Sequence, residues 1–128
     1  MTDETKDAAK RGAEIRQQIF GAAGMKSYNE ADDFQAPLQD VVTRLCFGEV
    51  WGRPTLSLKL RSMLTIAILA GQSRPNQLRN HVRGAIANGV TKEEIREILL
   101  HATIYVGVPA GSDSWAQATE ALKEINAY

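Results

Sequence analysis

Between Ser57 and Gly71 the chain reads Ser-Leu-Lys-Leu-Arg-Ser-Met-Leu-Thr-Ile-Ala-Ile-Leu-Ala-Gly. Wound at the helical period, Leu60, Met63, Leu64, Ile66, Ala67, Ile68 and Leu69 cover nearly every side. The alternation of a half-buried strand is missing, and Ser57 is placed to cap the helix. A helix with so little polar face has to sit against other helices. This segment predicts an all-α protein with the 57–71 helix at its centre.

The rest of the chain supplies partners. Residues 3–20 are rich in Ala, Glu, Lys, Arg and Gln, good helix formers, and Gly21 and Gly24 offer a stop. Leu38, Val41, Val42, Leu45 and Cys46 repeat at helical spacing within 34–50. Gly52-Arg53-Pro54 then breaks the chain. A further helix is expected from Pro75 to Asn88-Gly89. Thr91-Lys92-Glu93-Glu94 is a capping box for the next, with Ile95, Ile98, Leu99 and Ala102 as its apolar stripe. Val108-Pro109 interrupts before a last helix over 110–125. The expectation is an all-α bundle of about six helices.

With 128 residues, 44% of them hydrophobic, the chain is read as one domain over 1–128, with 1–33 a polar helix and connection and 34–128 the core. Fifteen Lys and Arg balance fifteen Asp and Glu, so the basic footprint of a nucleic-acid binder is missing. No apolar run reaches membrane-spanning length, and the opening MTDETKDAAKR is polar and mixed in charge. A cytoplasmic protein with no membrane partner is expected. Cys46, the single cysteine, allows no internal disulfide and no cysteine-rich zinc site, and reads as a small buried apolar residue. A polar first helix beside so apolar a third helix predicts a homo-oligomer. Trp51, Trp115, Phe47 and Tyr105 are candidates for its interface or for the core of one subunit.

Few residues can carry chemistry. Glu49 lies in Gly48-Glu49-Val50-Trp51-Gly52-Arg53-Pro54, beside Trp51 and before a forced turn, with Arg53 or Arg61 as possible partners. His81 lies in Leu78-Arg79-Asn80-His81-Val82-Arg83-Gly84-Ala85, where flanking arginines on its face would depress its pKa. His101 forms a four-residue-spaced stripe with Glu97 and Tyr105, an acid, a base and a phenol in a row. Either histidine is catalytic or a hydrogen-bonded core residue. Two in the whole chain, both in apolar helices, favour a functional role for at least one. No His-x-x-x-His or His-Glu-x-x-His spacing is present, so no metal site is expected.

Five segments in order resemble the carboxymuconolactone decarboxylases and their alkylhydroperoxidase D-like relatives. They are Gly48 to Pro54, Leu60 to Thr65, Leu78 to Ala85, Asn88 to Ile95 and Leu99 to Ala110. The resemblance covers roughly 34–118 and implies an all-helical scaffold assembled as a trimer or hexamer. The peroxidase-like branch carries a Cys-x-x-Cys pair before the helix histidine. Here Arg74 and Gln77 stand at those positions, which disfavours dithiol peroxidase chemistry. Two stretches, Gln72 to Leu78 and Gly111 to Trp115, depart from the family pattern and leave the substrate open.

The family reaction converts 4-carboxymuconolactone to an enol-lactone with loss of CO2, in the protocatechuate and 3-oxoadipate route of aromatic catabolism. Decarboxylation usually demands a cofactor as electron sink. The conjugated lactone carbonyl serves instead, so no cofactor is expected. The resemblance then implies roles for a handful of side chains. Arg53 or Arg61 holds a carboxylate. His81, in preference to His101, delivers the proton, since imidazole titrates near neutrality at ~6.5. Glu49 orients a histidine or shares the transfer, Tyr105 donates to the enolate oxygen, and Trp51 lines the substrate. A catalytically silent member binding another acid, or a hydrolase or isomerase of a related lactone, is the alternative.

Overall fold

The computed structural model describes residues 2–128. Among them are six α-helices, one π-helical stretch and no strand. They form two compact units, one ending at Leu56 and one spanning Ser57–Tyr128.

In the first unit, helix α1 (Asp3–Asn29) starts where the Thr2 hydroxyl accepts from the Thr5 N–H, with Asp3 and Glu4 against the positive end of the helix dipole. The expected stop at Gly21 is a break rather than an end. Gly21 adopts φ 65° and ψ −166°, which favours a residue without Cβ. The chain folds back there. In a straight helix residues 16 and 27 would lie about 16 Å apart along the axis. Instead the Arg16 guanidinium donates to Ser27 Oγ at 3.0 Å.

Helix α2 (Ala36–Val41) carries Pro37 in its first turn and runs on into the π-helical stretch Val42–Val50, which ends with Trp51 N–H donating to the Cys46 carbonyl at 2.9 Å. Two glycines let α1 press directly on this stretch. A Cβ on Gly12 would lie 1.8 Å from the Thr43 carbonyl oxygen, and one on Gly48 would lie 2.1 Å from that of Ala8. Around this backbone contact Ile19, Met25, Phe47 and Trp51 are buried. Cys46, expected inside, is exposed, because the wider π turn directs Thr43, Phe47 and Gly48 inward instead.

In the second unit α3 (Leu58–Gly71) begins at the expected cap, with Leu60 N–H donating to Ser57 Oγ at 3.1 Å. A three-residue link folds α4 (Pro75–Ala87) back along it. The capping box opens α5 (Lys92–Val106): Glu94 N–H donates to Thr91 Oγ1, and Thr91 N–H to Glu94 Oε1, both at 3.0 Å. Gly107, at φ 98°, turns the chain into α6 (Val108–Glu124). Helices α3 and α6 each pack against both α4 and α5. Ile66, Leu78, Val82, Ile95 and Leu99 are fully buried between them, each stabilising the unit by roughly 1.5–3 kcal/mol.

The centre of this core is only half of what the sequence predicts for α3. Ser62, Ile66 and Ala70 face inward, whereas Leu60, Leu64 and Ile68 remain exposed in the single chain.

Candidate active site

Each unit presents its own groups. In the first, Trp51 is 7% exposed and packs 5.6 Å from the Phe47 ring, which meets Phe20 edge-on at 5.8 Å. This aromatic stack is core, where the sequence left core and interface both open. Glu49, at the end of the π-helical stretch, is exposed and lines a surface cleft of about 350 Å³ with Glu4, Asp7, Ala8 and Arg11. The arginine in that cleft is Arg11, whose Nε donates to the Gly48 carbonyl at 2.8 Å. Arg53 lies on the following turn, its N–H donating to the Val50 carbonyl at 3.1 Å. Sequence reading missed Arg11. Its only signal was its place one helical turn from Asp7 and Ala8 in a helix read as solvated.

In the second unit His81 sits in mid-α4, largely enclosed. Burial pushes its pKa down to about 4, so the imidazole is neutral at physiological pH. The flanking arginines are not the cause. Arg79 and Arg83 both turn to Glu124 of α6, Arg83 at 2.6 Å. Seven residues on from His81, and so on the same side of α4, Asn88 Nδ2 donates to Ser62 Oγ of α3 at 2.9 Å. Ser62 is 1% exposed and follows Arg61, which is half-buried. Because α4 runs back along α3, His81 lies about 10 Å along the helix pair from the level of Arg61 and Ser62.

His101 has a different setting. It is exposed on α5, its ring 5.0 Å from that of Tyr105, and it borders an apolar groove of about 590 Å³ between α3 and α5. Leu60, Leu64, Met63 and Ile98 line that groove, Glu93, Glu94 and Glu97 edge it, and neither His81 nor Arg61 belongs to it. The Glu97, His101 and Tyr105 stripe therefore exists, with Glu97 drawn to Arg96 at 3.6 Å. The packed imidazole expected in an apolar helix does not. A groove edged by carboxylates is a poor seat for a carboxylated substrate.

The Gly111 to Trp115 departure is a packing feature. A Cβ on Gly111 would lie 2.3 Å from Thr103 Oγ1, Ser114 donates to the Ala110 carbonyl at 2.9 Å, and Trp115 packs on the core of the unit.

Fold and side chains together define an all-α protein equipped with imidazole, carboxylate and guanidinium groups on rigid helices, and with no thiol pair. Residues 36–120 match the model of the carboxymuconolactone decarboxylase family, and the chain belongs to that family. It is 37% identical over 126 residues to a 4-carboxymuconolactone decarboxylase of Acinetobacter baylyi, covering 98% of this chain and 92% of that one. It is 39% identical over 115 residues to a nitrosuccinic acid decarboxylase of Metarhizium robertsii, covering 85% of this chain and 80% of the other. A third similarity, 39% over 66 residues, is to an uncharacterized 15.0 kDa protein of Paracoccus denitrificans and covers half of each chain.

Proposed function

We propose that this protein is a cofactor-free carboxy-lyase that converts 4-carboxymuconolactone to an enol-lactone with loss of CO2 in aromatic-compound catabolism, acting in the cytoplasm as a homo-oligomer. The observation that carries this reading is the similarity to a 4-carboxymuconolactone decarboxylase along almost the full length of both chains.

In this reading the bond to the departing carboxylate breaks, CO2 leaves, and the electron pair enters the conjugated lactone carbonyl as a dienolate. The protein holds the remaining carboxylate, steadies the dienolate oxygen and supplies one proton to carbon. Arg61 precedes the buried Ser62 on α3, and Arg53 follows the Glu49 turn. Either suits the first task through paired N–H donors. His81 is the preferred proton carrier. A neutral His81 holds no spare proton in the free enzyme. Arrival of an anionic substrate beside it favours the imidazolium, so substrate binding itself charges the acid.

The nitrosuccinic acid relative supports a second reading, in which the substrate is another small acid. The two named acids share a chemistry: each can lose CO2 to leave an electron pair that the molecule itself absorbs, into a lactone carbonyl or a nitro group, while a second carboxylate stays behind. The test is incubation of purified protein with each acid, following CO2 release and, for the lactone, its ultraviolet change. Release from the lactone supports the first reading and release from nitrosuccinic acid alone supports the second. No CO2 from either at high enzyme concentration overturns both and leaves a silent or hydrolytic family member.

A further inference from the structure

Arg16 lies on the inner side of α1 and is only 7% exposed. Its terminal nitrogens donate to Thr43 Oγ1 at 3.2 Å and Ser27 Oγ at 3.0 Å, and the Tyr28 ring stands 5.8 Å from the guanidinium carbon. All of these partners are formally neutral. The ion pairs among the described residues join Arg44 to Asp40, Lys59 to Glu94, Arg79 and Arg83 to Glu124, and Arg96 to Glu97, and leave Arg16 out. Cys46 is nearby and exposed at its residue surface, with partial desolvation pushing its thiol up and the Arg16 cation pulling it down.

A buried cation answered only by hydroxyls is costly, and an apolar side chain of similar volume would serve packing better. Both terminal nitrogens are engaged, and the remaining donor, Nε–H, is not shut off from solvent. The arrangement is built by the fold-back at Gly21, which alone brings Ser27 and Tyr28 onto Arg16.

We propose that Arg16, with Ser27 beside it and Tyr28 as a wall, is a carboxylate seat, and that its ligand is a small dicarboxylic acid of the class such decarboxylases act on. The identity of that ligand rests on the decarboxylase reading; the seat does not. A guanidinium offers a carboxylate two parallel N–H donors, and Ser27, now an acceptor from Arg16, can turn its hydroxyl hydrogen to the anion.

Succinate, a dicarboxylate with no internal electron sink, is the probe. Thermal unfolding of the full chain is followed against succinate concentration, with sodium chloride at matched ionic strength as control. Succinate should raise the wild-type Tm to a plateau, as a ligand of the folded state does. The rise should vanish in Arg16→Met, need about tenfold more succinate in Arg16→Lys, which keeps the charge but loses the fork, and survive in the exposed control Arg96→Met. A wild-type Tm no higher in succinate than in chloride, or an undiminished rise in Arg16→Met, overturns the seat. Should Arg16→Met fail to fold, unchanged half-saturation in both Arg16→Lys and Ser27→Ala overturns it instead.

CO2 release separates this from the decarboxylase reading. Turnover in a wild-type protein whose Tm succinate does not raise removes the seat and keeps the reading. Arg16-dependent succinate binding in a protein that releases no CO2 removes the reading and keeps the seat. An assembly mass that changes in Arg16→Lys while its succinate response does not assigns the counter-charge to a second copy of the chain, and overturns the proposal.

Discussion

His81 combines a titratable ring with a largely enclosed setting, and its consequences are measurable. Its folded pKa of about 4 lies below the ~6.5 of an unfolded imidazole. The unfolded chain therefore takes up a proton that the folded chain refuses. The stability present above pH ~6.5 is lost as pH falls toward 4, by about 3 kcal/mol if the ring alone is considered. Urea midpoints at pH 7.5 and 4.5 should show a smaller drop for His81→Gln than for wild type, and equal drops would contradict the assignment to this ring. On activity, His81→Gln should lower kcat by roughly 10²-fold, the scale of a lost general acid. If substrate charges the ring, the alkaline limb of kcat should lie at higher pH than that of kcat/KM; coincident limbs would count against it. His101→Gln, by contrast, changes an exposed side chain and should leave stability within about 0.5 kcal/mol of wild type.

At the scale of elements, the contact between α1 and the π-helical stretch is the most sensitive to a single methyl group. The Gly12 and Gly48 Cβ positions are occupied by partner backbone, which cannot rotate away as a side chain can. Gly48→Ala should cost about 1–3 kcal/mol or more, read as a lower urea midpoint, and a wild-type midpoint would show that the stretch can slide. The capping box on α5 is a milder case. Thr91→Ala removes the acceptor for the Glu94 N–H and should cost about 1 kcal/mol. Both helix starts, Ser57 and Thr91, were legible in sequence because a cap is a local hydrogen bond between residues three apart. The π-helical stretch was not. Its apolar residues are spaced as in an ordinary helix, and the wider turn that sends Thr43, Phe47 and Gly48 inward instead accompanies the neighbour it packs on.

For the whole molecule, the apolar surface left bare by one chain argues for association. Ile104 and Tyr105 on α5 are 77% and 78% exposed, and Leu60, Leu64 and Ile68 line the outer face of α3. Contiguous patches of this kind are rare on stable monomers. Light scattering at micromolar concentration should give a mass several times 14.0 kDa. Replacement of Ile104 by Glu should lower that mass if the α5 face is buried between copies, and a strict wild-type monomer would refute association altogether. Dialysis against a chelator should leave CO2 release unchanged; recovery of lost activity on adding a metal would overturn the cofactor-free mechanism.

The sequence by itself determined most of the helices, because period, caps and breakers act within a few residues: the caps at Ser57 and Thr91 and the interruption at Val108-Pro109, with Gly21 breaking its helix where a stop was expected. It also carried the family, through five ordered segments, and it picked out the two histidines. What it had no means to decide was environment. Equal apolar spacing around His81 and His101 hid the fact that one ring is enclosed by neighbouring elements and neutral, while the other stands in the open beside Tyr105. A helix read as a solvated extension held a buried guanidinium, because Arg16 is polar in any window of sequence. Only the fold-back at Gly21 brings Ser27 and Tyr28 to cover it. Burial, and with it charge state and reactivity, is set by what packs from distant positions in the chain, and that is a property of the tertiary structure alone.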